Sequence, residues 1–215
     1  MTRPAFRAPL ILAAMCASLL AVTGCSSLLD GGEAPSIYAP APAIQPDPSW
    51  PSVPWQLVVS ANSAASVTDS QRIAVRPVPN ELQVYKGASW ARRPTEMLED
   101  ALMRTLEDSG KIGAVARPGT GINADYRLVL DLRRFESDYR GDAVPAAVVE
   151  VNAKLLHATD DRVVASRTFM QAEPAAGTAV PQAVSAFEQS LAQVSRELAG
   201  WVLTSGQAHH QQQSR

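Results

Sequence analysis

Val184, Phe187, Leu191, Val194, Leu198 and Trp201 recur at spacings of 3, 4, 3, 4 and 3 residues. At 3.6 residues per turn such positions stack on one side of a helix, so the spacing predicts a helix from about Val180 to Thr204 with a continuous apolar stripe. A stripe of that length must be covered. Heptad-like spacing also suits a coiled coil between subunits, which keeps a homo-oligomer open. A single helix lying on a sheet needs the same stripe, and that packing is favoured here.

The remaining chain supplies such a sheet. WQLVVSA from Trp55, RIAVRPV from Arg72 and LQVYKG from Leu82 read as strands divided by polar turns at Ser70-Gln71 and Asn80-Glu81. Pro77 and Pro79 confine at least one of them to an edge or a loop. KIGAVAR from Lys111 is a further short strand. In ADYRLVLDLRRFESDYR, Tyr126, Leu128, Leu130 and Leu132 share one parity, but Phe135 and Tyr139 have the other. One strand buries both sets only if it carries an extra residue, which predicts a β-bulge at Arg133-Arg134. Val149, Val151, Ala153 and Leu155 alternate with polar residues, and Asp160-Asp161 turns that strand into RVVASRTFM. In this last strand Phe169 and Arg167 share parity, so its buried face stays open.

PTEMLEDALMRTLEDSG, from Pro94, reads as another helix. Proline fits the first turn, Glu96, Glu99 and Asp100 complement the positive helix start, and Gly110 suits the stop. Leu98, Ala101, Leu102, Thr105 and Leu106 share a face. The acids opposite are a solvated face rather than a catalytic pair. The expected class is α+β, a mostly antiparallel or mixed twisted sheet with two helices packed on one face.

Upstream, seven of the 16 prolines fall within Gly32–Pro54. They forbid helix and central strand over most of that stretch and point to an extended tether, residues 25–54, although Ile37-Tyr38 has the alternative of a short edge strand. Trp50 and Trp55, set among these prolines, either pack on the domain or touch a partner. The domain itself is expected at 55–204. The polar tail 205–215, SGQAHHQQQSR, is expected to be disordered.

At the start of the chain, Arg3 and Arg7 precede an apolar run from Leu10 to Val22, too short to span a membrane and suited to a secretory signal. Val22-Thr23-Gly24-Cys25 follows, and it resembles a bacterial lipobox. Cleavage between Gly24 and Cys25 would remove residues 1–24, with Cys16, and leave a lipid-attachment thiol at Cys25. No intramolecular disulfide is then possible, so an exported domain must stand on its hydrophobic core. The three acyl chains expected on a processed lipobox cysteine make release from the bilayer negligible. Ser26, where an aspartate would signal inner-membrane retention, points to the periplasmic leaflet of the outer membrane. Loss of Arg3 and Arg7 takes the net charge from −2 to about −4, which disfavours nucleic-acid partners.

Catalytic patterns are missing. No G-x-S-x-G is present, Pro118-Gly119-Thr120-Gly121 lacks the lysine of a phosphate loop, and two of the three histidines lie in the tail. Metal-ligand spacing is absent. Neither catalysis, a cofactor nor a metal is expected.

YKGASWARRPTEMLEDAL, ADYRLVLDLRRFE and the closing AGWVL, in this order after a lipobox, resemble the ABC-type transport auxiliary lipoprotein family over about Ile37 to Leu203. The resemblance implies a non-catalytic lipoprotein subunit of a paraquat-inducible-type or other mammalian-cell-entry (MCE) system, which moves phospholipids across the Gram-negative envelope. It implies docking to the MCE-domain protein, with Tyr85 and Trp90 as candidate partner contacts, although Trp90 equally suits a core position. The alternatives are an assembly or structural lipoprotein of an outer-membrane β-barrel machine and a lipid-carrying shuttle.

Overall fold

The computed structural model describes residues 34–63 and 66–215. Gly24, Cys25 and the signal segment 1–24 lie outside the described residues, as does the beginning of the tether. Among the described residues there are eight strands: β1 (Ser36–Tyr38), β2 (Val53–Asn62), β3 (Arg72–Arg76), β4 (Gln83–Trp90), β5 (Ile112–Ala116), β6 (Tyr126–Asp138), β7 (Ala146–His157) and β8 (Val163–Pro174). Two helices accompany them in the described residues, α1 (Pro94–Ser109) and α2 (Val180–Gln213).

One sheet holds all eight strands, and β6 is its spine. Along one edge of β6, β2 pairs parallel with Tyr126–Asp131, and β3 then pairs parallel with Glu136–Asp138. Along the other edge runs antiparallel β7, followed by β8. Parallel β5 extends the sheet beyond β2, antiparallel β4 extends it beyond β3, and β1 lies parallel on β4. Of the two expected arrangements, the mixed sheet is the one observed.

The bulge lies where parity predicts it. Leu132 faces Val151 and Arg134 faces Glu150, so Arg133 is the inserted residue. It occupies the interval in which β6 passes from β2 to β3. Beyond it the faces exchange: Phe135 turns into the core, and Arg134, Glu136 and Asp138 turn to the opposite side. There Glu136, only 3% exposed, accepts two hydrogen bonds from Arg76, through Nε and Nη2, each 2.9 Å. Arg134 donates to Glu136 at 2.7 Å and to Asp138 at 2.6 Å. These acids have their guanidinium partners within reach and form a paired patch on the outer face.

Both helices pack on the other face against one core. In α1, Leu98, Leu102 and Leu106 are completely buried, and Gly110 ends the helix in a left-handed conformation, φ 61°, that a side chain would disfavour. In α2 the stripe is buried from Val184 to Leu198, so it covers its own sheet. Trp201 is half-buried, with its ring edge-on to Phe169 at 5.6 Å. Phe169 is the buried residue of β8. Arg167 shares its parity and reconciles it by laying its guanidinium over the Phe169 ring, 4.7 Å from the centroid.

Two boundaries are corrected. Pro35 to Arg215 form one compact unit, so 35–54 belongs to the domain and does not hang from it. The Ile37-Tyr38 edge strand exists, and Trp55 is 2% exposed. The tail is corrected as well: α2 continues past Thr204 to Gln213. Tertiary contact explains the extension. A Cβ at Gly206 would stand 2.5 Å from the Trp55 indole, so the small residue lets the helix lie against that ring. Tyr126 Oη donates to the Gly206 carbonyl at 3.3 Å and shares a hydrogen bond of 2.9 Å with His209 Nδ1. Gly206→Ala is expected to destabilise the protein by about 1–2 kcal/mol despite its better helix propensity, because overpacking outweighs propensity at this contact. Urea denaturation measures it; a stabilised variant would contradict the contact.

Candidate functional site

Two surface depressions are built by the proline-rich segment that follows β1. Backbone bonding starts this strap: the Ala91 N–H donates to the Tyr38 carbonyl at 2.8 Å. Its prolines leave few donors to pair in a sheet, so Ala39–Gln45 crosses α1 without a ladder. Farther on, the strap is pinned. Asp47 accepts from the Ser49 N–H and Oγ at 3.0 and 2.7 Å, and from Arg196 of α2 at 3.2 Å. The Ser49 hydrogen bonds, with Arg196 acting in the same direction, hold the Asp47 carboxyl below the ordinary range. The Trp50 indole lies against α2 at Gly200, where a Cβ would come within 2.7 Å of Nε1.

Between strap and α1 lies a groove of about 530 Å³. Pro40, Ala41, Pro42 and Ile44 form one wall, and Met97 and Ala101 lie opposite. Arg92, Asp100, Arg104 and Asp108 border it. Arg92 pairs with Glu96 and Asp100, and Arg117 pairs with Glu99 and Asp100, so these α1 acids serve ion pairs at the surface. A shallower cleft, also about 530 Å³, spans α2 between Trp50 and Trp201, with Arg167, Arg196 and Glu197 at its rim. Tryptophan and arginine beside each other are the residue types that dominate protein interfaces.

The two residues expected at a partner contact are placed differently. Trp90 is 2% exposed and packs edge-on against Phe135 and Phe187, with centroids at 5.6 and 5.2 Å. It is a core residue, and a side chain so enclosed has no surface to offer. Tyr85 is half-buried, and its hydroxyl shares a 2.9 Å hydrogen bond with Ser137. Burial pushes its phenol pKa up against the opposing pull of that bond. The strap groove and the Trp50–Trp201 cleft were not found from the sequence. The sequence allows Trp50 either packing or contact, but the partner that makes it a cleft wall, Gly200, is distant in the chain and has no pattern to flag it.

At the other end of α2, His209 and His157 approach with ring centroids 5.3 Å apart. His157 shares a hydrogen bond with Asp160 at 2.9 Å. Burial, and secondarily the charge of His157, hold His209 below its ordinary value, which suits the neutral ring beside Tyr126. No group of three or more His, Cys, Asp or Glu gathers into a metal set among the described residues.

The domain is α+β, with paired surface acids and with aromatic and arginine side chains around two shallow depressions beside a proline strap. Residues 36–199 match the model of the family described as the ABC-type transport auxiliary lipoprotein component, and the chain belongs to that family. It is similar in structure to protein XCC0632 from Xanthomonas campestris, assigned to DUF330, at 54% identity and a TM-score of 0.77, covering 82% of this chain and 99% of that one. An uncharacterised protein of 17% identity shares the fold, with a TM-score of 0.58 over 78% of this chain and 97% of that one. The uncharacterised protein bll6063 of Bradyrhizobium diazoefficiens is 26% identical over 152 residues, 68% of this chain but only 39% of that protein's length. The family is one of auxiliary lipoproteins of ABC-type transport, and this chain is accordingly an envelope lipoprotein associated with a membrane.

Proposed function

We propose that the protein is the non-catalytic docking subunit of an MCE-type ABC system moving phospholipids between the envelope membranes. Acyl chains on Cys25 hold it at the periplasmic face of the outer membrane. The observation that carries this reading is the family match over residues 36–199. The lipobox-like Val22-Thr23-Gly24-Cys25 and the serine after it support the anchor and its destination. The strap groove beside α1 is the surface assigned to the MCE-domain protein: half apolar, bordered by both signs of charge, and formed by two elements that side chains of a partner can reach.

Co-purification from membranes tests it. The MCE-domain protein is expected to be retained, and Ala41→Arg with Arg104→Glu is expected to weaken retention about tenfold or more while leaving the thermal melt within a few degrees of the parent. Recovery of an outer-membrane β-barrel in place of an MCE protein would support the assembly-lipoprotein alternative instead. Fractionation with the inner membrane would reject the location.

A further inference from the structure

Four of the nine large apolar side chains that stay exposed among the described residues gather at one end of the sheet: Val78, Leu82, Val84 and Val144, between 37% and 49% exposed. Val78 and Leu82 lie in the turn between β3 and β4, and Val84 is the second residue of β4. Val144 lies in the β6–β7 connection, at the same end of the sheet as that turn because Asp138 of β6 is registered with Arg76 of β3 on one edge and with Ala146 of β7 on the other. A soluble surface has no structural need for this grouping, so it marks a contact.

Chain direction identifies what the contact meets. Strand β1 is parallel to β4, with Ser36 opposite Ala88 and Tyr38 opposite Trp90. The N-terminal end of β1 therefore points toward the Gln83 end of β4, where the exposed turn lies. Cys25 lies only eleven residues before Ser36, a reach of at most about 40 Å even when fully extended. The five-residue run of β4 from Ala88 to Gln83 is roughly 17 Å long, less than half of that reach. A bilayer holding acyl chains at Cys25 is thus within easy reach of this end of the domain. The turn's prolines, Pro77 and Pro79, present Val78 without exposing a paired sheet edge. Exposed Lys86 and Arg140 flank the apolar group as candidate partners of lipid phosphates, Arg140 lying 3.7 Å from Asp138 and the exposed acids Glu81 and Asp142 sharing the same two connections.

We infer that the β3–β4 turn, with Val144 at the same end of the sheet, seats on the bilayer surface as a second, non-covalent contact that orients the domain. The strap, which leaves β1 beside Trp90 at the opposite end of β4, then faces away from the membrane. The inference rests on the proposed acylation of Cys25.

Hydrogen exchange on the full mature chain in phosphatidylethanolamine–phosphatidylglycerol vesicles tests it. One sample carries native acylation, checked by mass. Another is the unacylated chain coupled through its Cys25 thiol to a maleimide lipid. Amides of 77–84 are expected to exchange about threefold or more slower than in detergent-free solution. Those of 117–125, in the connection that precedes β6 at the opposite end of the sheet, are expected to be unchanged. Val78→Asp with Leu82→Asp should abolish the slowing without altering exchange in β6 or β7. No slowing at 77–84 in the coupled sample, or equal slowing at 117–125, overturns the orientation. Slowing that grows with protein concentration in the absence of vesicles assigns the patch to a second copy and overturns it as well. An unmodified Cys25 in the native sample defeats the anchor alone, because the coupled sample still decides the orientation.

Discussion

Trp90→Ala lowers stability by about 4 kcal/mol and leaves partner retention intact wherever the variant is folded. Truncating a buried tryptophan removes its transfer free energy and opens a cavity that a packed core refills only in part, with costs of about 3–5 kcal/mol. The surroundings of Trp90 favour the middle of that range. Phe135 and Phe187 stack on each other at 4.8 Å, and Trp90 stands edge-on to both, so its removal strips contacts from two further buried rings. Its backbone remains held, since the Trp90 N–H donates to the Gln71 carbonyl at 2.7 Å, which opposes collapse of the cavity. For a domain of this size the melting temperature should fall by about 8–16 °C. Urea denaturation and a pull-down at low temperature check the two halves of the expectation. An unchanged melt with lost retention would return Trp90 to the interface.

Glu136→Ala is expected to cost about 2–3 kcal/mol. Removing one partner of a buried ion pair leaves the other charge uncompensated, typically at 3–5 kcal/mol, and the solvent access of Arg76 and Arg134, 28% exposed each, reduces that figure. Both guanidiniums would lose their shared acceptor and face one another. The same carboxylate makes the parent protein sensitive to acid. Burial alone would raise its pKa, but the hydrogen bonds from Arg76 and then Arg134 outweigh burial and hold it below the ordinary 4.5. The unfolded chain therefore binds the proton at higher pH than the folded one. The contribution of Glu136 is fully present above about pH 4.5 and is lost as pH falls through its lowered native value. Stability measured from pH 6 down to 3 should fall less steeply in the variant; parallel slopes would contradict the assignment.

The outer-face patch depends on a feature that parity revealed. Leu132 and Phe135 cannot both be buried on an uninterrupted strand, and the inserted Arg133 answers that conflict. The α1 face and the α2 stripe were legible for a related reason, because periodicity is local and burial of one face is demanded wherever it occurs. Partner choice within the sheet was not legible. Four of its seven strand pairings are parallel and join segments distant in sequence, among them β1 with β4 and β3 with β6. Trp90 shows the same limit at a single residue: its strand pattern allows either face, and only Phe187, nearly a hundred positions later, makes it core.

Composition misled where it met tertiary contact. Seven prolines do prevent ordinary secondary structure, yet they do not prevent a strap from packing, because Asp47, Trp50 and Trp55 find partners on α2. The polar tail likewise lacks an apolar stripe of its own, and it stays helical by continuing a buried helix and docking Gly206 and His209 against Trp55 and Tyr126. By itself the sequence determined most of the strands, the extent of α1, the bulge, the apolar faces of both helices and the family, since each follows from local period or an ordered set of motifs. The three-dimensional fold alone decided which strands are neighbours, whether Trp90 is core or surface, and where the depressions lie. Those depend on contacts between segments far apart in the chain, whose free energy exists only once both are in place.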